Sequence, residues 1–475
     1  MSSTNRTLSW WAHSSTRARL TLAGATLIIL ALVATSVVVW NSPSNPIIKA
    51  VAAASTEDLA QQKVLHERNA LLSQVVALQK QLAAKQTNLT TTKAQLASIQ
   101  QQLWSAQGQL EAAAAADASK APTKKPTVKP AKPAKAPVVV SAPSKAEIMA
   151  PSSPYFGLYT EQAPFSFSSY DAISDRVGLS PNVVGYFGGW DQTYRGDVVT
   201  NSWKRNSLPI LTWESRPINA PNAVVTEPDY ELPKIIGGNF DAYLHQYAKD
   251  IVATGLPLGI RLDHEMNGNW YPWSEDTGKI DPATGKPTKL NNNNVGDYVK
   301  MWQHVHDIFE QEGANGLVVW IWAPNIINNL PTAHKTSAYL DGLYPGAQYV
   351  DVVGLSGYLR PAYKPDNNFS FDYTFGSSLA ELRRVAPAKP ILLAEVGASE
   401  TGGHKAAWLT SFFAGVNDPA NSDIIGFVWF NLAVTTYTEG ELGTNDWRID
   451  SRPDTLAAFV AGLNAPGTRF HLLPR

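Results

Sequence analysis

The chain has 475 residues, 44% of them apolar and 17% charged, with a formal net charge of −1 and no cysteine. That length allows a large core with appendages, and the missing cysteine excludes disulfides, thiol chemistry, Cys-ligated zinc and a lipoprotein anchor. Charge is uneven: residues 1–150 hold 16 Lys+Arg against 6 Asp+Glu, a net +10, which leaves 23 against 34, a net −11, for the remainder, and an acidic portion rich in Trp, Tyr and Phe excludes nucleic acid as its partner.

Arg6, Arg17 and Arg19 precede 21 uncharged residues from Leu20 to Trp40, and the next charge is Lys49. As a helix such a run crosses a hydrocarbon layer of roughly 30 Å. The positive-inside rule then predicts a cytoplasmic tail over 1–19, a transmembrane signal anchor over 20–40, and everything later outside the cell. The other reading is a cleaved signal peptide, with small residues at 50–54 as the cleavage region and a secreted product. Residues 56–116 lack proline, and Val64, Leu71, Val75, Leu78, Leu82, Leu89, Leu96, Ile99, Leu103 and Leu110 share one heptad frame. That frame predicts a coiled-coil stalk and self-association through it. Lys85, Thr92 and Ala106 on the seam point to a loose dimer or trimer, and a lone amphipathic helix is the alternative. Residues 117–151 hold seven Lys, seven Pro and no aromatic side chain, the composition of a stiff, solvated linker.

From residue 154 to 465 short apolar runs alternate with longer mixed segments. The runs are Tyr155–Tyr159, Val183–Phe187, Leu208–Trp213, Leu258–Leu262, Leu317–Trp322, Val350–Gly357, Ile391–Val396 and Ile424–Phe430. Segments 240–253, 295–312, 375–385 and 408–416 read as helices. Eight strands alternating with helices predict an α/β fold, a (β/α)8 TIM barrel. A doubly wound open sheet is the runner-up, although Phe156-Gly157-Leu158-Tyr159 offers no Gly-rich phosphate loop. The barrel places function-bearing residues just past the strand ends. Residues 274–294, rich in Asn, Asp, Gly and Lys, become an insertion after strand four that walls the cleft, its asparagines 291–294 solvated rather than ion-binding.

The fourth run leads into Arg261-Leu262-Asp263-His264-Glu265-Met266-Asn267-Gly268-Asn269-Trp270-Tyr271-Pro272-Trp273. Carboxyl groups, hydrogen-bonding groups and flat aromatic faces in one stretch suit a sugar-cutting site. Glu265 at the end of strand four and Glu395 at the end of strand seven face each other across the mouth of such a barrel, as retaining glycoside hydrolysis requires. With nine histidines and no HxxxH or HxH pair beside Glu265, neither a metal nor a cofactor is expected.

The run 261–273 resembles the acid/base signature of glycoside hydrolase family 26, retaining (β/α)8 enzymes that include β-mannanases. The resemblance extends through Tyr298–Phe309, Val319–Asn325, Tyr349–Leu355 and Asp446–Ser451. It implies that Glu265 is the acid/base, Glu395 the nucleophile and His264 an orienting residue beside the acid/base, with Tyr358 bonded to the nucleophile and Trp270 and Trp429 against the sugar. The expected mechanism has Arg261 or Tyr358 holding Glu395 ionised, and Trp270 shielding Glu265 so that it keeps its proton. Asn267 and Trp190 are further expected substrate contacts. Strand three ends in Trp213-Glu214 where mannanases of the family tend to have Trp-His, and strand eight has Trp429-Phe430 where they tend to have Trp-Arg. Glu214 is therefore a candidate substrate-binding carboxylate, and the expected substrate widens from β-mannan to mixed-linkage β-glucan and β-xylan. The alternative from another class is a non-catalytic module that holds a surface polysaccharide on a stalk.

Overall fold

The computed structural model describes residues 140–221, 224–438 and 441–475. The anchor, the stalk and the linker as far as residue 139 lie outside the described residues, among which no helix is long and apolar enough to cross a membrane.

The eight runs become eight strands: β1 Tyr155–Tyr159, β2 Val183–Gly189, β3 Leu208–Glu214, β4 Leu258–Leu262, β5 Val318–Trp322, β6 Val352–Leu359, β7 Ile391–Ala398 and β8 Ile424–Phe430. All pair in parallel with their sequence neighbours, and β8 closes on β1. Closure rules out the open doubly wound sheet. A strand buried on both faces reads as a continuous apolar run, and every residue of Val318-Val319-Trp320-Ile321-Trp322 is buried. β6 begins two residues later than its apolar run because Asp351 turns its carboxylate onto the Trp320 N–H at 2.8 Å.

A helix follows each strand: α1 Ser168–Val177, α2 Gly196–Trp203, α3 Asp241–Thr254, α4 Asp297–Gln311, α5 Ser337–Asp341, α6 Ser377–Val385, α7 Lys405–Asn417 and α8 Pro453–Leu463, with a further five-residue helix, Leu232–Ile236, just ahead of α3. α4 shows why. Tyr298, Met301, Trp302, Val305, Ile308 and Phe309 recur on one face and are buried, the spacing of an amphipathic helix laid on a sheet. α1 and α3 stop at Gly178 and Gly255, both left-handed, where glycine has no Cβ to clash.

The folded unit is longer at both ends than the run pattern indicates. Ser144 and Glu147 form a capping box that starts a short helix, Lys145–Met149, whose Ile148 is buried. Lys145, expected in a solvated linker, instead pairs with Asp351 at 2.7 Å and donates to the Asn315 carbonyl. Past 465, Phe470 is buried and Arg469 donates to the carbonyls of Val416, Asn421, Ser422 and Ile424. The insertion after β4 forms an antiparallel hairpin, Asp276–Ile280 against Pro287–Lys289. Two of its asparagines are buried staples, not solvated: Asn291 and Asn293 accept from the N–H groups of Glu227 and Leu232 and donate to the Pro272 carbonyl.

Candidate active site

β4 points Arg261 into the barrel, where its guanidinium is wholly buried. It donates to Glu395 at 2.5 Å, to Thr212 Oγ1 at 3.2 Å and to Ser356 Oγ. A buried guanidinium needs such acceptors, since isolated burial of a charge is very costly. Glu395 lies on β7 and also accepts from the Tyr358 hydroxyl on β6. Burial first, and then the charge of Glu395, push the Tyr358 phenol well above its usual range, so it stays a donor.

Past β4 the chain turns through Asp263 at φ 40° and Glu265 at φ 57°, left-handed conformations that cost a non-glycine residue on the order of 1–3 kcal/mol. Bonds from Asp263 N to the Trp213 carbonyl at 2.9 Å and from Glu265 N to the Ala323 carbonyl at 2.7 Å hold the turn to both neighbouring strands. The turn aims the Glu265 side chain at the barrel mouth. Its Oε2 accepts from Trp270 Nε1 at 2.8 Å. Burial raises the Glu265 carboxyl above its ordinary value, and the negative charge of Glu395 raises it further. Arg261, Trp270 and Asn325 pull the other way.

His264, buried between these groups, meets the rings of Tyr271 at 4.8 Å, Trp273 at 5.9 Å and Phe187 at 6.2 Å. Burial and the charges of Arg261 and Arg216 hold it well below the usual histidine range, so the ring is neutral. Among the described residues no group of three His, Asp or Glu is arranged to hold a metal ion.

Six of the ten expected site residues thus meet around one pair of carboxyls: Arg261, His264, Glu265, Trp270, Tyr358 and Glu395. Four are placed elsewhere or spent. Trp429 is fully buried, faces Trp408, Phe412 and Phe459 of the helix layer, and gives its N–H to the Trp447 carbonyl. Alternation along β8 turns Phe430 inward in its place, beside Tyr159, Phe187 and Tyr358. The Trp190 ring is buried against Trp213, Phe240 and Tyr243, and its backbone N–H is shared by the carbonyls of Glu214 and Arg216 at 3.1 Å. Glu214 lies beside the site, its Oε1 4.0 Å from His264 Nδ1, and its carboxylate is engaged in a forked ion pair with Arg216 at 3.0–3.1 Å. Asn267 uses its amide on both backbone groups of Asn325 at 2.8 Å.

Three neighbours of the pair were not among the expected residues: Phe430, Asn325 and Trp447. The Trp447 ring lies 4.8 Å from that of Tyr358. Its loop is held by the buried Lys405, which donates to the carbonyls of Asp446 and Arg448 and to Ser451 Oγ. Trp447 lies inside the Asp446–Ser451 motif, which was the available signal.

Two carboxyl groups gathered with aromatic rings at the mouth of a closed parallel barrel are the equipment of a glycoside hydrolase. The sequence model of glycosyl hydrolase family 26 matches residues 171–431, from α1 to just past β8, and the chain belongs to that family. Endoglucanase H of Acetivibrio thermocellus is 30% identical over 307 residues, which cover 63% of this chain and 29% of that protein. A mannan endo-1,4-beta-mannosidase of Bacillus subtilis is 24% identical over 234 residues, 44% of this chain and 58% of that protein. The chain therefore spans less than a third of the first relative and under two thirds of the second. Among solved structures, a modular endo-beta-1,4-mannanase from Cellulomonas fimi is 19% identical, with 70% of this chain and 77% of that one covered and a TM-score of 0.47.

Proposed function

We propose that the chain is a retaining glycoside hydrolase of β-linked polysaccharide, β-mannan or a related β-glucan or β-xylan, with Glu265 as acid/base and Glu395 as nucleophile. What carries the reading is the contrast between two carboxyl groups at one mouth. Glu395 accepts from a buried guanidinium and a phenol, whereas Glu265 sits where burial and its neighbour's charge make it hold a proton more tightly. Opposed environments of this kind separate an acid from a nucleophile.

The Glu395 carboxylate attacks the anomeric carbon while Glu265 passes its proton to the departing glycosidic oxygen. Formation of the glycosyl ester removes the charge on Glu395, and with it one of the two causes that raise Glu265. With that cause gone, Glu265 holds a proton less tightly and stays ionised after protonating the leaving group, free to take a proton from the water that releases the sugar with retained configuration. Neutral His264 orients the acid/base turn, and Trp270 meets both Glu265 and the sugar. That one relative is named an endoglucanase and another a mannan endo-1,4-beta-mannosidase supports glucan and mannan as first substrates. The anchor over 20–40 and the stalk over 56–116 present the hydrolase outside the cell, tethered to its membrane and self-associated through the stalk. The uncharged run and the heptad frame support this.

Incubation of the full chain with β-mannan, lichenan and xylan, with reducing ends counted, tests the reading. Glu395→Ala should abolish release. Glu265→Ala should lose on the order of 10²–10⁴-fold on polymer yet keep most of its first-step rate on an aryl glycoside whose leaving group needs no proton. Equal losses on both substrates contradict the assignment. Binding to one polymer with cleavage of none replaces the enzyme with a holding module.

A further inference from the structure

β5 runs out into Ala323-Pro324-Asn325. Asn325 lies on a one-residue parallel bridge to Ser356, the residue whose hydroxyl meets Arg261. Both its backbone polar groups are taken by Asn267: Nδ2 donates to the Asn325 carbonyl and Oδ1 accepts from the Asn325 N–H, each at 2.8 Å. Asn267 is fixed in turn, its carbonyl 2.9 Å from His334 Nδ1, while His334 Nε2 lies 2.7 Å from Asp276 at the foot of the hairpin. The position of Asn325 is thus set by its backbone and by other side chains. Asn325 is 7% exposed and follows by two residues the Ala323 whose carbonyl takes the Glu265 N–H at 2.7 Å. Its amide is among the groups that lower the Glu265 carboxyl, and its Oδ1 is buried with no hydrogen-bond partner.

An acid/base must be well housed both as acid and as carboxylate within one cycle. The indole N–H of Trp270 is a donor only, so it favours the carboxylate and nothing else. A primary amide carries a donor and an acceptor on one freely turning end. We propose that Asn325 is a positioning residue for Glu265 in both protonation states, its N–H groups serving the carboxylate and its Oδ1, after rotation of the amide, accepting the proton of the acid. In catalysis this rests on Glu265 being the acid/base. The partnership itself is measurable without turnover.

The test is a carbon-13 NMR titration of the full chain labelled at the glutamate carboxyls, with the Glu265 signal identified by its loss in Glu265→Gln. Asn325→Leu keeps the shape of the side chain and the backbone clamp while removing donor and acceptor. Bonds to a charged partner are about twice as strong as neutral ones, so the lost donor outweighs the lost acceptor, and Glu265 should titrate about half to one pH unit higher. Asn325→Asp places a second carboxyl beside Glu265 and should move it further the same way. The alkaline limb of kcat/KM on the polymer cleaved fastest should follow both shifts. Asn325→Ala reads the same shift should the leucine variant not fold. A Glu265 titration that stays put or moves down in a folded variant overturns the proposal. Unimpaired polymer cleavage by Glu265→Ala would instead remove the acid/base assignment, leaving the titration to decide the role of Asn325.

Discussion

Asp263 is wholly buried at the turn that delivers Glu265, with Oδ1 accepting from Ser215 N and Oδ2 from Ser215 Oγ, both at 2.7 Å. Burial pushes its carboxyl from 3.8 up to about 7, although the two Ser215 bonds oppose the shift. A group raised in this way holds its proton more tightly folded than unfolded. Its contribution to stability is full below the unfolded value and is lost as pH climbs through the folded one, here between about pH 4 and 7. A shift of about three units at about 1.4 kcal/mol each bounds the loss near 4 kcal/mol. Asparagine keeps the shape and cannot ionise: its Oδ1 takes the Ser215 N–H and its amide donates to Oγ. Asp263→Asn should therefore exceed the parent by only about 1 kcal/mol at pH 4.5, where little of the loss has occurred, and by up to about 4 kcal/mol at pH 8. At about 2.1 cal/mol/K per residue, a unit the length of residues 140–475 has an unfolding entropy of about 0.7 kcal/mol/K, so the gain in Tm is about 6 °C. Calorimetry of the full chain at both pH values measures it. Glu275, also raised by burial to about 7, is common to both proteins and drops out of the difference. Melting curves that stay parallel from pH 4.5 to 8 would refute the reasoning.

Arg261→Met strips Glu395 of its buried cation and leaves Tyr358 as its remaining partner on this side; breaking such a pair should cost about 3–5 kcal/mol in urea unfolding and lower kcat on the cleaved polymer, and an unchanged kcat would separate Arg261 from the nucleophile. Trp429 and Trp447 should part company in a paired experiment. Trp429→Leu opens space against Phe412 and Phe459 and should cost about 3 kcal/mol of stability with KM unchanged. Trp447→Ala should raise KM or lower kcat at a smaller cost in stability, and the reverse pattern would restore Trp429 to the cleft.

The parts of this architecture visible in the bare chain are those in which residue type alone answers the physical question. A strand buried on both faces has to be apolar throughout, so eight runs marked eight strands. A charged residue at the end of such a run has to meet a partner, which singled out Arg261, Glu265 and Glu395. Competition for partners is what the chain conceals. Alternation cannot decide between Trp429 and Phe430 when both faces of β8 are apolar: Phe427 and Trp429 go to the helices, while Val428 and Phe430 go inward. Glu214 resembled a sugar-binding carboxylate until a bend returned Arg216, two residues on, to its oxygens. Asn267 resembled a hydroxyl-binding amide, yet it is consumed by the backbone of Asn325, 58 residues later. The same clamp frees the Asn325 side chain, so the residue with the more conspicuous position does structural work and its partner is left to face Glu265. Polar groups near a barrel mouth divide in this way because every buried donor and acceptor must be matched. Those left unmatched after the fold has taken its share are the groups available for chemistry.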